Sequence, residues 1–274
     1  MDAVKELSSI VRTCGELIAG ICRSGNLGTK DKNEQLGQHY STRADRISQS
    51  FGIKLFGKAF PGVPVVAEEE DHPNWSPPQE YIAFDPLDGT ANYYNGGPYG
   101  VSACLFRKGQ PVAGATYFSS DQSTVYAQKG LGCYEEVEGT THHIRSISWH
   151  GNLDKLHVGT DIGSWAHKVG TFDAMLRPLS ERFNVISPMS ATEGGRMVLR
   201  GQLGGYYNIG VAKIWDAAAM SLAVQEAGGR VYAPNGSPLR WGALRCDWVM
   251  AGNYFLMDQM LRYTSPWAYA HGQE

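Results

Sequence analysis

The apolar residues of this chain change their spacing after about residue 60, and that change restricts what it can fold into. Val4, Leu7, Ile10, Val11, Cys14, Leu17, Ile18 and Ile21 recur at steps of three and four, which places them on one stripe of an α-helix. A polar stretch from Ser24 to Gln38 reads as a loop. A second helix is expected from about Thr42, carrying Ala44, Ile47, Phe51 and Leu55. Beyond it the apolar runs shorten to strand length: Val63–Val66, Tyr81–Phe84, Val101–Phe106, Val112–Phe118 and Thr124–Ala127. Gly, Pro and Asp punctuate them as in an antiparallel meander. After about residue 145 strands and helices alternate. Strands are expected near 156–159, 183–186, 205–209, 230–232 and 247–250, and helices near 165–177, 192–200, 215–227 and 254–262. The pattern predicts an α+β chain in two halves, 1–145 and 146–274, with a soft junction around 140–155.

Such a chain needs a sizeable core, which 274 residues at 42% hydrophobic content can supply. The formal net charge of −3 lacks the positive field with which nucleic-acid binders collect phosphates. An anionic ligand would have to be met by positive charge built locally, and bound metal is one way to build it. No apolar run is long enough for a membrane-spanning helix. The order Met1-Asp2-Ala3-Val4-Lys5-Glu6 is not that of a secretory leader, and the five cysteines form no C-x-x-C pair. These features place the chain in the cytoplasm, without nucleic-acid or membrane partners.

Three acidic segments carry the candidate chemistry. Glu68-Glu69-Glu70 follows the apolar run ending at Ala67. Asp85-Pro86-Leu87-Asp88-Gly89-Thr90 ends another, and Asp216 opens the helix expected at 215–227. Pro86 lacks a backbone donor and is expected to end the pairing of its strand, while Asp88-Gly89 turns a second carboxylate back beside Asp85. Two carboxylates so close repel unless a cation lies between them, and such hard oxygen ligands suit Mg²⁺. The amides of Gly89 and Thr90, opening a helical turn, could hold an anion. Each segment has a plainer reading: Asp-Pro and Asp-Gly are common in turns, a triple Glu suits solvent, and Asp216 suits a helix cap. The three together, in this order, point to metal-assisted chemistry.

On these residues the chain resembles the inositol monophosphatase family of metal-dependent phosphatases. Asp85 to Thr90 resembles its first signature, and Trp215-Asp216-Ala217-Ala218 with Glu226-Ala227-Gly228-Gly229 its second. Ser41-Thr42-Arg43-Ala44-Asp45 resembles its Thr-x-x-Asp element. The resemblance implies a layered αβαβα sandwich, a homodimer, two or three Mg²⁺ ions and a small phosphorylated metabolite as substrate. It implies metal ligands at Glu68 (or Glu69), Asp85, the Leu87 carbonyl, Asp88 and Asp216. Asp45 and Thr90, with Glu68 at the metals, would activate a water, and Gly89 and Thr90 would hold the phosphate. His39 stands where many relatives have an acid, and Lys30 and Lys32 fall in a segment that closes on the site in relatives.

Substrate contacts are expected at Asn208, in place of an acid that grips hydroxyls in inositol-specific relatives, and at Lys213 and Arg196, which could meet a second anion or be surface charges. A nucleotide 3′-phosphatase, a sugar bisphosphatase, a histidinol-phosphate phosphatase and a non-catalytic binding protein remain alternatives. Gly52 to Lys58 nearly matches a P-loop but lacks the following Ser/Thr and lies in a helical pattern.

Overall fold

The computed structural model describes residues 3–23, 28, 30–32, 39–145, 147, 156–162 and 170–270. Helix α1 (Ala3–Arg23) and helix α2 (Arg43–Ala59) lie side by side on one face of a seven-stranded sheet. The α1 stripe of Val4, Leu7, Ile10, Val11, Cys14 and Ile18 is buried there among Phe84, Val101 and Ala115. A short antiparallel hairpin joins the helices, β1 (Lys30–Lys32) with β2 (His39–Ser41). The stretch expected to be loop thus contains paired backbone, and its remainder lies outside the described residues.

The large sheet runs in chain order: β3 (Val65–Ala67), β4 (Glu80–Asp88), β5 (Gly100–Arg107), β6 (Gln110–Phe118), β7 (Ser123–Gln128), β8 (Gly132–Val137) and β9 (Thr140–Ile144). Only β3 and β4 pair in parallel; the others form the expected antiparallel meander. Strands β8 and β9 were not legible in the sequence. They carry Glu135, Glu136, His142 and His143 and lack the apolar run that marks a buried strand.

A second sheet, of order β11-β10-β12-β14-β13, combines β10 (His157–Thr160), β11 (Asn184–Ile186), β12 (Gly205–Asn208), β13 (Arg230–Tyr232) and β14 (Trp248–Ala251). Strand β10 is parallel to both neighbours and β14 antiparallel to both of its own.

Helices α5 (Ala191–Leu199) and α6 (Ile214–Glu226) fill the layer between the sheets. Helix α6 has apolar residues all round, as a helix covered on both sides requires. It approaches β6 closely: a Cβ at Gly114 would lie 2.9 Å from the Cα of Ala219.

The outer face of the second sheet is covered by α4 (Arg177–Arg182), which continues a π-helical turn at Phe172–Leu176, and by α7 (Tyr254–Ala270). The helix expected at 165–177 therefore lies later in the chain, and residues 163–169 are outside the described set. The layers run helix, sheet, helix, sheet, helix. One buried cluster reaches from Tyr81 and Phe106 in the first sheet to Trp248 and Met250 in the second. No described helix is long and apolar enough to cross a membrane.

Candidate active site

Strand β4 delivers two carboxylates. It pairs with β5 through Asp85↔Ser102, slips, and resumes at Asp88↔Gly100. Pro86 therefore interrupts the ladder without ending the strand, and the bulge turns both acids toward one end of the sheet. Local bonds hold it: the Leu87 amide donates to Asp85 Oδ1 at 2.9 Å, and Ser48 donates to the Pro86 carbonyl at 2.8 Å. Gly89, in the left-handed conformation, then starts the single turn of α3 (Thr90–Tyr94).

Behind this bulge stands α2. Thr42 caps the helix and donates both its amide (2.7 Å) and its hydroxyl (2.5 Å) to Asp45 Oδ2. The other oxygen, Oδ1, accepts the Thr90 hydroxyl at 3.0 Å. Asp45 and Thr90, 45 positions apart, are thus brought together as expected. Burial pushes the Asp45 carboxyl up to about 6, against the lowering effect of the Thr42 hydroxyl and with repulsion from Glu68 and Glu69 adding to the rise.

Glu68 follows β3, its amide bonded to the Phe84 carbonyl at 3.2 Å. Its negative charge acts on Asp85, Asp216 and Asp45, and that of Glu69 on Asp45. Asp85 is buried, and burial followed by repulsion from Glu68, Asp88 and Asp216 holds its carboxyl well above the usual range. Asp216, near the start of α6, is raised by burial and then by Glu68 and Asp88. It also accepts the Lys213 amide at 2.7 Å, so it caps the helix as well as facing the other acids.

Asp88 is gripped by α5. Its Oδ2 accepts Ser190 Oγ (2.7 Å), Thr192 N (2.8 Å) and Thr192 Oγ1 (2.5 Å), and its Oδ1 accepts Ala191 N at 3.2 Å. A helix N-terminus favours a carboxylate in this way. Asp161, just past β10, is a further strand-end acid. Burial and then repulsion from Asp88 push it up to about 7. Neither the α5 terminus nor Asp161 was singled out from sequence. An acid at a strand end and the Ser190-x-x-Glu193 pattern of a helix start were the available signals.

The residues expected to touch substrate divide. Asn208, at the end of β12, is 5% exposed and its Oδ1 has no hydrogen-bond partner. Lys213 precedes α6, and its charge offsets part of the rise at Asp216. Arg196 corrects the sequence reading. It is neither a surface charge nor turned to a ligand, but lies buried on the Phe118 ring, 4.2 Å from its centroid. It donates to Asp121, Ser123, Ser120 and Glu193 at 2.6 to 3.1 Å.

The mutual repulsion among Glu68, Asp85, Asp88 and Asp216 would be relieved by a cation. Their hard oxygen donors, with the Leu87 carbonyl beside them, match Mg²⁺ in charge and type. Among the described residues no three acids converge tightly enough to enclose an ion as they stand. Asp88 in particular spends its oxygens on α5, so binding would draw on side-chain movement.

Comparison with solved structures identifies the architecture. The extragenic suppressor protein suhB of Bartonella henselae superposes with a TM-score of 0.83 over 96% of this chain and 98% of its own, at 24% identity. An IMPase/NADP phosphatase complexed with Mg²⁺ and phosphate superposes with a TM-score of 0.74 over 90% of each chain, at 17% identity. The fold is thus the layered sandwich of the inositol monophosphatases. At the level of sequence, the model of the inositol monophosphatase family matches residues 2–266. A fructose-1,6-bisphosphatase/inositol-1-monophosphatase of Aquifex aeolicus is 30% identical over 271 residues, 96% of each chain. The protein belongs to the inositol monophosphatase family.

Proposed function

We propose that this protein is a Mg²⁺-dependent phosphomonoesterase acting on a small phosphorylated metabolite. The observation that carries the reading is the Thr90–Asp45 hydrogen bond, 3.0 Å long, set beside the acids Glu68, Asp85, Asp88 and Asp216. When bound, Mg²⁺ supplies charge that acidifies a water and balances the phosphoryl oxygens. Glu68, Asp85, the Leu87 carbonyl, Asp88 and Asp216 would hold it, with Glu68 preferred over Glu69 because its charge acts on two of the other acids.

The remaining steps belong to the side chains. Thr90 gives its proton to Asp45 Oδ1, which leaves the hydroxyl oxygen able to accept a proton from the attacking water. Asp45, with its carboxyl raised to about 6, is a base matched to neutral pH. The Gly89 and Thr90 amides lie on the same turn and would hold the phosphate. No side chain in this arrangement needs to become phosphorylated. The reading extends to a homodimer, which light scattering would test.

The deciding experiment is inorganic phosphate release from inositol, sugar, histidinol and nucleotide phosphates, with Mg²⁺ and with EDTA. Release that needs Mg²⁺ is expected from at least one ester. Release equal in EDTA would overturn the metal assignment, and none from any ester would overturn the phosphatase reading.

A further inference from the structure

At the turn between β12 and α6 two like charges meet that the phosphatase chemistry does not use, Lys213 on the turn and Arg245 on a segment 32 residues further along. The Ile214 amide donates to the Leu244 carbonyl at 2.8 Å, and the Cys246 amide to the Ala212 carbonyl at 3.0 Å. These two bonds bracket Lys213 and Arg245, which oppose each other in an antiparallel bridge. In a bridge of this kind the opposed Cα atoms lie only about 4.5 Å apart and their side chains share one face. Like charges so placed repel, and the arrangement is unfavourable unless an anion answers it.

Asp247 answers part of it. Its Oδ1 lies 3.7 Å from Arg245 Nε and also accepts the Gly210 amide at 2.9 Å. Arg245 donates to the Gly210 carbonyl as well, which lays the guanidinium over the turn that begins at Asn208. The Arg245 side chain remains 48% exposed, with donors to spare beyond these contacts. Lys213 acts on Asp216, so the pair borders the metal-ligand end of the site. On the same turn, the Oδ1 of the buried Asn208 is a polar atom without a partner.

We propose that Lys213 and Arg245 form a subsite for a second phosphate, carried on the alcohol part of the substrate, with Asn208 bonding a neighbouring hydroxyl. This inference rests on the phosphatase reading and names the substrate class within it. Two cations on one face suit a dianionic group, and the planar fork of Arg245 suits phosphate in particular. Arg196 cannot share this role, because its guanidinium is committed to Asp121, Glu193, Ser120 and Ser123.

The test uses two matched substrate pairs, 3′-AMP with adenosine 3′,5′-bisphosphate and fructose 1-phosphate with fructose 1,6-bisphosphate. In at least one pair the wild-type enzyme should favour the bisphosphate in kcat/KM by about tenfold. Arg245→Gln should erase most of that preference, mainly through KM, and Arg245→Lys should restore part of it. Asp247→Asn loosens the same turn and removes a carboxylate that partly answers Arg245, while keeping both cations; it should lower both rates without lowering their ratio. No preference in either pair, with the monophosphates still hydrolysed, overturns the subsite alone. So does a ratio that falls equally in Asp247→Asn. No Mg²⁺-dependent release from any of the four esters overturns the phosphatase reading and the subsite with it.

Discussion

Two turns bring strand ends to the site, and they are tied to different parts of the molecule. The turn from Asp85 to Thr90 has two bonds of its own, the Leu87 amide to Asp85 and the Thr90 hydroxyl 3.2 Å from the Leu87 carbonyl, and is tied to α2 through Ser48 and Asp45 and to α5 through Asp88. The turn from Asn208 to Asp216 is closed at its end by the Lys213 amide on Asp216 and is tied elsewhere to the segment 245–247. Its Gly210 peptide is gripped on both sides by Asp247 and Arg245, and Lys213 is set opposite Arg245 by pairing with a segment 32 residues away. A turn held by a distant segment can change its charge and shape without disturbing the first. On the phosphatase reading, the first turn together with Asp216 would carry the chemistry, and the stretch from Asn208 to Lys213 the selectivity among substrates.

The strongest way to break that division is to remove a carboxylate from the first turn. Asp88→Asn should lower kcat/KM by about a thousandfold or more, since several kcal/mol of charge stabilisation are lost. A purified variant keeping more than a tenth of wild-type activity would refute the metal assignment. Asp85→Asn sharpens the same point through stability. The folded, metal-free protein holds the Asp85 carboxyl well above its ordinary value, so it binds a proton that the unfolded chain releases above about pH 4. Stability should therefore be greatest at low pH in this window and fall as pH rises toward the folded-state value. Asp45 and Asp161, raised to about 6 and about 7, add to the fall. Thermal unfolding in EDTA should show Tm decreasing from pH 5 to pH 8, less steeply in Asp85→Asn, and recovering with Mg²⁺. A Tm that rises over that range without metal would contradict the crowding of these acids.

Next in size is the proton path. Thr90→Ala removes the group between Asp45 and the attacking water and should cost about a hundredfold in kcat, with little change in KM. Steady-state kinetics on the best substrate checks it, and a loss confined to KM would make Thr90 a phosphate contact only.

Much of the first turn was legible because its information is local. Asp85, Asp88 and Gly89 lie within five positions, and the apolar run before them names the strand that presents them. The meeting of Asp45 with Thr90 and the approach of Asp216 were reached through resemblance, since no local rule joins residues so distant. The layered sandwich came through the same resemblance, while the alternation of strands and helices could be read from spacing alone.

What escaped was assembled by long-range packing. The α5 terminus that grips Asp88 lies about 100 residues beyond it, and Arg245 meets Lys213 only through the bridge. Strands β8 and β9 escaped because their polar residues, exposed in β9 and half-buried in β8, resemble a loop. Pro86 misled in a different way: the missing donor predicted the end of a strand, but a bulge absorbed it and pairing resumed at Asp88.

A smaller effect belongs to the hinge of the second turn. Gly210 has φ +100°, a conformation costing a side-chain-bearing residue about 1–3 kcal/mol. Gly210→Ala should displace the turn, raising KM more than it lowers kcat. Equal losses on both parameters would show that the second turn also positions the chemistry, and the division of labour would fail.

The smallest expected effect on turnover separates the two arginines. Arg196 and Arg245 each offered a cation to a second anion, and burial decides between them. Arg196 gives its charge to Asp121 and Glu193 and its face to Phe118, fastening α5 to the turn between β6 and β7. Arg196→Met leaves Glu193 without that partner, while Asp121 keeps Arg200 at 2.7 Å. The cost to folding should be about 2 kcal/mol, below the 3–5 kcal/mol typical when a fully buried pair is broken. The ratio of bisphosphate to monophosphate kcat/KM should stay within about twofold of wild type, because the guanidinium is spent on Asp121, Glu193, Ser120 and Ser123. Denaturant unfolding and the matched substrate pairs measure the two quantities separately. If Arg196→Met instead alters the ratio as Arg245→Gln does, the preference travels through α5 and its grip on Asp88, and specificity is not confined to the second turn.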